Sequence, residues 1–118
     1  MKTFIFSGGR YFDDWELFET IWRLYVEPCA PGRYQVFVGD CPSGLDAMVR
    51  AFCPSARVFV ADWRRFGRAA GPRRNRDMCE AATADGAVLF AFPGGRGTAS
   101  CIRQAERCGI PVVALPPR

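Results

Sequence analysis

The sequence contains no histidine, a single lysine and no Cys-x-x-Cys pair, although it has six cysteines. Without histidine, the usual zinc sites lose their commonest nitrogen ligand, and every histidine-dependent catalytic triad is excluded. No apolar run approaches the roughly eighteen residues that a membrane span needs, and the N-terminal apolar stretch is too short for a secretory signal. We therefore expect a cytoplasmic protein with reduced cysteines, no membrane contact and no required metal or cofactor.

The 118 residues, 49% of them hydrophobic, suit one domain over 1–118 with neither an internal repeat nor a linker. Short apolar runs alternate with longer amphipathic stretches, which is typical of a doubly wound α/β domain with a mostly parallel sheet of about five strands and about four helices. The predicted strands are Lys2–Phe6, Gln35–Val38, Arg57–Ala61, Ala87–Phe92 and Val112–Leu115. The predicted helices are Asp13–Val26, Gly44–Phe52, Pro72–Ala82 and Thr98–Cys108.

Four segments rich in glycine or arginine follow the first four predicted strands. In open parallel sheets, ligands bind beyond the carboxyl ends of the strands, so these segments are expected to converge on one site. The predicted ligand-binding residues are Ser7, Gly8, Gly9, Arg10, Gly39, Asp40, Ser43, Gly44, Asp46, Arg74, Asn75, Pro93, Gly94, Gly95, Arg96, Gly97 and Thr98.

The segment Pro93–Thr98, with the sequence PGGRGT, carries the clearest signal. Glycines permit positive φ angles and close approach of a ligand to the backbone, and a helix beginning near Thr98 directs its free N–H groups and positive dipole end at that ligand. An anion, most simply a phosphate, fits there. A second glycine-bearing helix start at Ser43–Gly44 and the nearby Arg10 favour this interpretation over a turn that only needs tight packing.

Fifteen of the sixteen basic residues are arginines, and six of them lie between Arg64 and Arg76. Arginine suits phosphate recognition, although a solvated helix surface explains some of the cluster equally well. Arg74 shares a helix face with Met78 and is the candidate that reaches the ligand, while Asn75 either reads a base or ribose edge or is solvated. Asp40 and Asp46 either accept hydrogen bonds from ribose hydroxyls or, for Asp46, complement a helix dipole.

The motifs Ser7–Arg10, Gly39–Asp46, Ala61–Trp63, Gly67–Met78 and Ala91–Thr98 together resemble the YspA-type, YpsA-related branch of the SLOG superfamily. The resemblance covers nearly the whole chain. It implies a Rossmann-like sheet and a site for a nucleotide or an NAD- or ADP-ribose-derived ligand.

Within that superfamily, the Lonely Guy phosphoribohydrolases have a similar Pro-Gly-Gly-x-Gly-Thr-x-x-Glu motif and an upstream Arg-x-x-x-Met, which Arg74 and Met78 match. The position of their catalytic glutamate is Cys101 in this chain. A thiol is mostly protonated at neutral pH and does not replace a carboxylate. An N-glycoside hydrolase would therefore depend on Arg74 with Asp40, Asp46 or Glu80.

These observations favour a protein that binds a nucleotide-type ligand, for example a cyclic ADP-ribose type signal, as a sensor or a sequestering protein. The alternatives are the hydrolase of nucleoside monophosphates and a DNA-binding module like the related DprA, for which no sequence signature of nucleic-acid binding is evident. The resemblance also implies a homodimer or a higher homo-oligomer.

Overall fold

The computed structural model describes residues 1–82 and 86–117. Five parallel strands form one sheet with the order β3-β2-β1-β4-β5, as predicted for a Rossmann-like, doubly wound fold. The strands are β1 Lys2–Ser7, β2 Tyr34–Gly39, β3 Arg57–Phe59, β4 Ala87–Ala91 and β5 Val112–Ala114. Because the chain runs outward from β1 through β2 to β3 and then crosses back to β4, the topological switch point lies between β1 and β4.

The four predicted helices are present, with an additional helix of one turn before the third of them. The helices are α1 Trp15–Ile21, α2 Gly44–Phe52, α3 Trp63–Phe66, α4 Ala70–Ala81 and α5 Arg96–Arg107. A π-helical turn, Trp22–Val26, continues α1, and a 3₁₀ turn, Gly67–Ala69, joins α3 to α4. Within the described ranges, the helices are all too short or too polar to cross a bilayer.

Alternate side chains of the central strand enter two separate cores. Phe4 and Phe6 face a cluster that includes Phe18 of α1 and Leu45 of α2, and Ile5 faces the other cluster. That second cluster contains buried side chains from α4 and α5. Since strand side chains alternate with a period of two, this arrangement places two helices on each face of a sheet that is buried on both sides.

Several predicted boundaries differ from the structure by one or two residues, and three of these differences lie near the carboxyl ends of the strands. The third strand ends at Phe59 and not at Ala61, because the N–H of Ala61 is directed at the carboxylate of Asp40, 3.3 Å away. The third predicted helix begins at Ala70, which leaves Pro72 in its first turn, where a missing N–H costs nothing. The fourth predicted helix begins at Arg96 and not at Thr98, so Gly97 lies inside the helix.

Candidate functional site

A cavity of about 1160 Å³ opens at the carboxyl ends of the strands. The segments after β1 and β4 form its floor, and they contact each other at the switch point. The N–H of Gly9 donates to the carbonyl of Pro93 at 2.9 Å, and the N–H of Phe92 donates to the carbonyl of Ser7 at 2.8 Å. The sequence-predicted edge of the sheet is therefore a single crevice lined by both glycine segments.

Fourteen of the seventeen predicted ligand-binding residues line this cavity. They are Ser7, Gly8, Gly9, Arg10, Gly39, Asp46, Arg74, Asn75, Pro93, Gly94, Gly95, Arg96, Gly97 and Thr98. The remaining predicted residues are Asp40, Ser43 and Gly44, which do not line it. Glu80, named for the hydrolase, also lies outside the lining: it is on the exposed side of α4, 3.8 Å from Arg76.

Ser43 and Gly44, at the start of α2, support the segment after β1 and do not line the cavity. The hydroxyl of Ser43 donates to the carbonyl of Arg10 at 2.9 Å, and the N–H of Leu45 donates to the carbonyl of Gly9 at 3.2 Å. A Cβ atom on Gly44, whose φ is 66°, would collide with the carbonyl oxygen of Gly9. Ser43 and Gly44, which were predicted to bind the ligand, therefore contact the backbone of the segment after β1.

The start of α5 does face the cavity. Gly95 is the N-cap residue, and no side chain of the described residues caps the helix there. The first N–H groups of a helix have no partners within the helix, so this end presents donors and a partial positive charge. Thr98 lies in the same first turn with only 7% of its surface exposed, and its hydroxyl has no hydrogen-bond partner among the described residues.

The glycines of the Pro93–Thr98 segment do not adopt the positive φ angles that the sequence analysis considered. None of Gly94, Gly95 and Gly97 has a positive φ. A Cβ atom on Gly94 would collide with the Thr98 hydroxyl, whereas Cβ atoms on Gly95 and Gly97 would meet nothing within 4 Å. Gly94 is thus required by packing, and the other two leave open space beside the helix start.

Like Arg68 of the same arginine cluster, Arg74 lines the cavity. Its Nη1 donates to Asp40 at 2.7 Å and its Nε donates to the amide oxygen of Asn75 at 2.8 Å. Asn75 is buried, so the prediction that its side chain is solvated was wrong. Its amide donates to the carbonyl of Gly97 at 3.2 Å and thereby connects α4 to the start of α5. Met78 packs in the core beneath, as expected.

The other arginines near Arg74 have structural partners. The guanidinium of Arg73 lies 3.9 Å from the ring centre of Phe66, and Arg76 pairs with Asp77 and Glu80. The charged-surface interpretation is therefore correct for these two. Asp40 accepts hydrogen bonds from Arg74 and from the N–H of Ala61, so it supports the site without lining the cavity. Its position after β2 in the sequence did not indicate this role.

Asp46 is the buried carboxyl of the cavity, with 6% of its surface exposed. Burial raises its pKa above the ordinary value, while the N–H of Cys41 and the guanidinium groups of Arg74 and Arg50 act in the opposite direction. Asp46 is in the first turn of α2, as expected for a residue that complements the helix dipole, and it also lines the cavity, so its contact with a ribose stays a prediction. A carboxyl of this kind retains its proton to higher pH than an exposed one.

Cys101, at the position of the Lonely Guy glutamate, is fully buried in the core. It forms a side-chain hydrogen bond with Cys79, and that bond together with burial raises the pKa of the Cys79 thiol. The six cysteines are all free. Within the described ranges, no cluster of three or more Cys, Asp or Glu side chains is arranged to hold a metal ion.

The sequence analysis missed several cavity residues outside the glycine segments. The additional polar residues and the additional tyrosine and tryptophan are Tyr11, Asp13, Asp14, Cys41, Trp63, Arg68, Ser100 and Arg103. Five arginines and three aspartates line the cavity altogether, an excess of two positive charges. The one available signal was that Trp63 and Arg68 lie in the segment between β3 and α4, on the carboxyl side of a strand.

Comparison with known proteins gives one informative match. The chain is 49% identical to the Gene 61 protein of Mycobacterium phage D29, in an alignment that covers 96% of this chain and 95% of that protein. The chain belongs to the same family as this phage protein. No family model matches the sequence, and no solved structure matches it.

Proposed function

We propose that this chain is a SLOG-like domain whose cavity binds a nucleotide or an NAD- or ADP-ribose-derived ligand, as a sensor or a sequestering protein. The observation that carries the proposal is the start of α5, which lines the cavity and has no side-chain cap among the described residues. The first N–H groups of a helix have no partners within the helix, and a bound phosphate would accept hydrogen bonds from them.

The charge of the cavity supports an anionic ligand. Arg10, Arg96 and Arg103 line it, and none of them forms an ion pair with another described residue. Arg74 is held in place by Asp40 and Asn75, which leaves its Nη2 group without a hydrogen bond to the described residues. Guanidinium groups bind phosphates with two parallel hydrogen bonds, so such a set of side chains favours a phosphorylated ligand.

Gly95 and Gly97 support close approach of that ligand to the backbone. Neither glycine is needed for its φ angle or for packing, and Gly97, which lies inside the helix, is less favourable there than alanine by up to about 1 kcal/mol. Both line the cavity. A ligand that lies against the helix start would occupy the space that two Cβ atoms would otherwise fill.

The proposal is tested with the variants Gly95→Asp and Gly95→Asn. Asp and Asn are almost isosteric and both are good N-cap residues, so both variants should fold. Only the aspartate adds a negative charge to the anion site, and like charges at a binding site cost several kcal/mol. We expect Gly95→Asp to bind ADP-ribose about 100-fold more weakly than Gly95→Asn in isothermal titration calorimetry.

Native mass spectrometry of the gently purified wild-type protein identifies a ligand that was retained from the cell. Loss of that ligand in Gly95→Asp, with retention in Gly95→Asn, supports the anion site. Equal occupancy and equal ADP-ribose affinity in the two variants would place the ligand elsewhere and overturn the proposal. The same spectra test the predicted homo-oligomer.

Asp46 favours a second candidate, the N-glycoside hydrolase. Its buried carboxyl lines the cavity near Arg74, and burial raises its pKa, which suits a general acid. Incubation with AMP or NAD would then release a free base, and Asp46→Asn would abolish the release. Binding without any released base leaves the sensor or sequestering function as the conclusion.

A further inference from the structure

Trp63 differs from the other two tryptophans in its surroundings. Trp15 and Trp22 both pack their rings against Phe18. Trp63 is 57% exposed, and its ring has no aromatic or cationic partner among the described residues, although it lines the cavity. Large aromatic side chains bury most of their surface in folded proteins, so an uncovered indole in a cavity leaves a stacking surface available.

The backbone that carries Trp63 is fixed at both ends of α3. Asp62 caps this helix by accepting a hydrogen bond from the N–H of Arg65 at 3.1 Å. Gly67 ends it with a φ of 53°, a conformation that glycine adopts without strain. The backbone position of Trp63 is therefore set before a ligand arrives, which lowers the entropy cost of binding.

The ring itself lies against the first turn of α4. A Cβ atom on Gly71 would be 3.3 Å from Cη2 of Trp63, so the absence of a side chain there admits the indole. Arg68, in the turn between α3 and α4, also lines the cavity and forms no ion pair with the described residues. This end of the cavity thus combines an aromatic surface with a positive charge.

Trp63 and the start of α5 lie at different strands of the sheet. Trp63 follows β3 and α5 follows β4, and these strands are three positions apart in the order β3-β2-β1-β4-β5. The two features are connected through α4, because the indole lies against Gly71 and the amide of Asn75, one turn further along, donates to the carbonyl of Gly97 in α5. A ligand that carries both an aromatic ring and an anionic group can therefore contact both features.

We propose that Trp63 stacks on a planar aromatic ring of the ligand, whose anionic group is bound at the start of α5. The inference rests on the proposed function and deepens it, because it assigns the two ends of the cavity to two chemical parts of one ligand. The ligand class is a phosphate ester that carries an aromatic base, not a phosphate or a sugar phosphate without a ring. Trp63 is a binding residue in this arrangement.

The test measures how tightly ligands with and without an aromatic ring bind to the variants Trp63→Ala and Trp63→Phe. Trp15→Phe is the control variant, because Trp15 lies outside the cavity. The ring-bearing probes are ADP-ribose and the four common nucleoside diphosphates, and the ring-free probe is inorganic pyrophosphate. Stacking of a base on an aromatic side chain is worth roughly 1–3 kcal/mol, so the best-bound ring-bearing probe should bind Trp63→Ala about 10- to 100-fold more weakly. Trp63→Phe should recover most of this loss, and pyrophosphate affinity should not change.

Tryptophan fluorescence gives a second readout of stacking. The ring-bearing probe should quench the emission of wild type and of Trp15→Phe, and the quenching should disappear in Trp63→Phe even though that variant still binds. Affinity within about twofold of wild type in Trp63→Ala, with binding lost in Gly95→Asp, would overturn the stacking role and leave the proposed function standing. Equal losses for pyrophosphate and ring-bearing probes would also overturn it. A wild-type protein that binds no probe would overturn both proposals.

Discussion

Apart from Gly71, which contacts Trp63, the glycines around the cavity fall into two groups with different surroundings. In the first group, a Cβ atom would come closer than 3.0 Å to other parts of the protein. Its members are Gly8, Gly9, Gly39, Gly44 and Gly94. In the second group, Gly95 and Gly97, a Cβ atom would meet nothing within 4 Å. The first group allows the strand ends and helix starts to contact each other, and the second leaves space beside the start of α5.

The difference separates what the fold requires from what a ligand requires. Replacement of a crowded glycine should damage the protein itself. Replacement of an open glycine should leave the fold intact, or improve it, and should be detected only by a ligand. In the sequence, glycines that the fold requires and glycines that a ligand requires look the same. Only the contacts of each position in the structure distinguish the two kinds.

The largest expected effect is that of Gly44→Ala. The new Cβ atom would collide with the carbonyl of Gly9, and alanine would also be strained at the φ of 66°. We expect a loss of about 3 kcal/mol or more in the free energy of unfolding, measured by urea denaturation.

Gly32→Ala is the matched control for this variant. Gly32 also has a positive φ, 81°, but a Cβ atom there would meet nothing within 4 Å. It should therefore cost only the roughly 1 kcal/mol of backbone strain. If both variants lost the same free energy, the contact between α2 and the β1 segment would not be the reason for glycine at position 44.

Gly39→Ala should have an intermediate effect. Its Cβ atom would lie 2.6 Å from Nη1 of Arg74 and 2.8 Å from Oδ2 of Asp46, which are side-chain atoms that can move. Because Arg74 is tied to Asp40 at 2.7 Å, moving it weakens that pair, and we expect a loss of about 1–2 kcal/mol in unfolding free energy.

A double-mutant cycle identifies the cause of that loss. In an Arg74→Ala background the guanidinium is absent, so Gly39→Ala should cost clearly less than it does in wild type. The same penalty in both backgrounds would show that Asp46 or the strand itself, and not Arg74, excludes a side chain at position 39.

The sheet and its four main helices could be predicted from the sequence because hydrophobic runs and amphipathic periods are local patterns. The location of the crevice followed from the general rule for parallel strand ends. Most of the predicted binding residues, including Arg74 and the Pro93–Thr98 segment, do line the cavity.

The contacts made across the sequence could not be predicted. Nothing local in Ser43–Gly44 shows that the carbonyl of Gly9 occupies that helix start, or that Asp40 is used to hold Arg74. The uncovered ring of Trp63 likewise depends on Gly71 in another helix. Such features come from packing between distant segments, which propensity and spacing do not encode.

The smallest change in stability, and the clearest separation of fold from ligand, is expected for Gly97→Ala. Gly97 is in the first turn of α5 with open space beside it and no positive φ, so alanine should raise the free energy of unfolding by about 0.5 kcal/mol. The added methyl group would occupy the space proposed for the ligand, so ADP-ribose affinity should fall about tenfold, which corresponds to about 1.4 kcal/mol.

The control Ala99→Gly, on the same helix but outside the cavity lining, should lower stability by up to about 1 kcal/mol and leave affinity unchanged. Opposite movements of stability and affinity in Gly97→Ala would assign this glycine to the ligand; an unchanged affinity would mean that the ligand does not approach the first turn of α5.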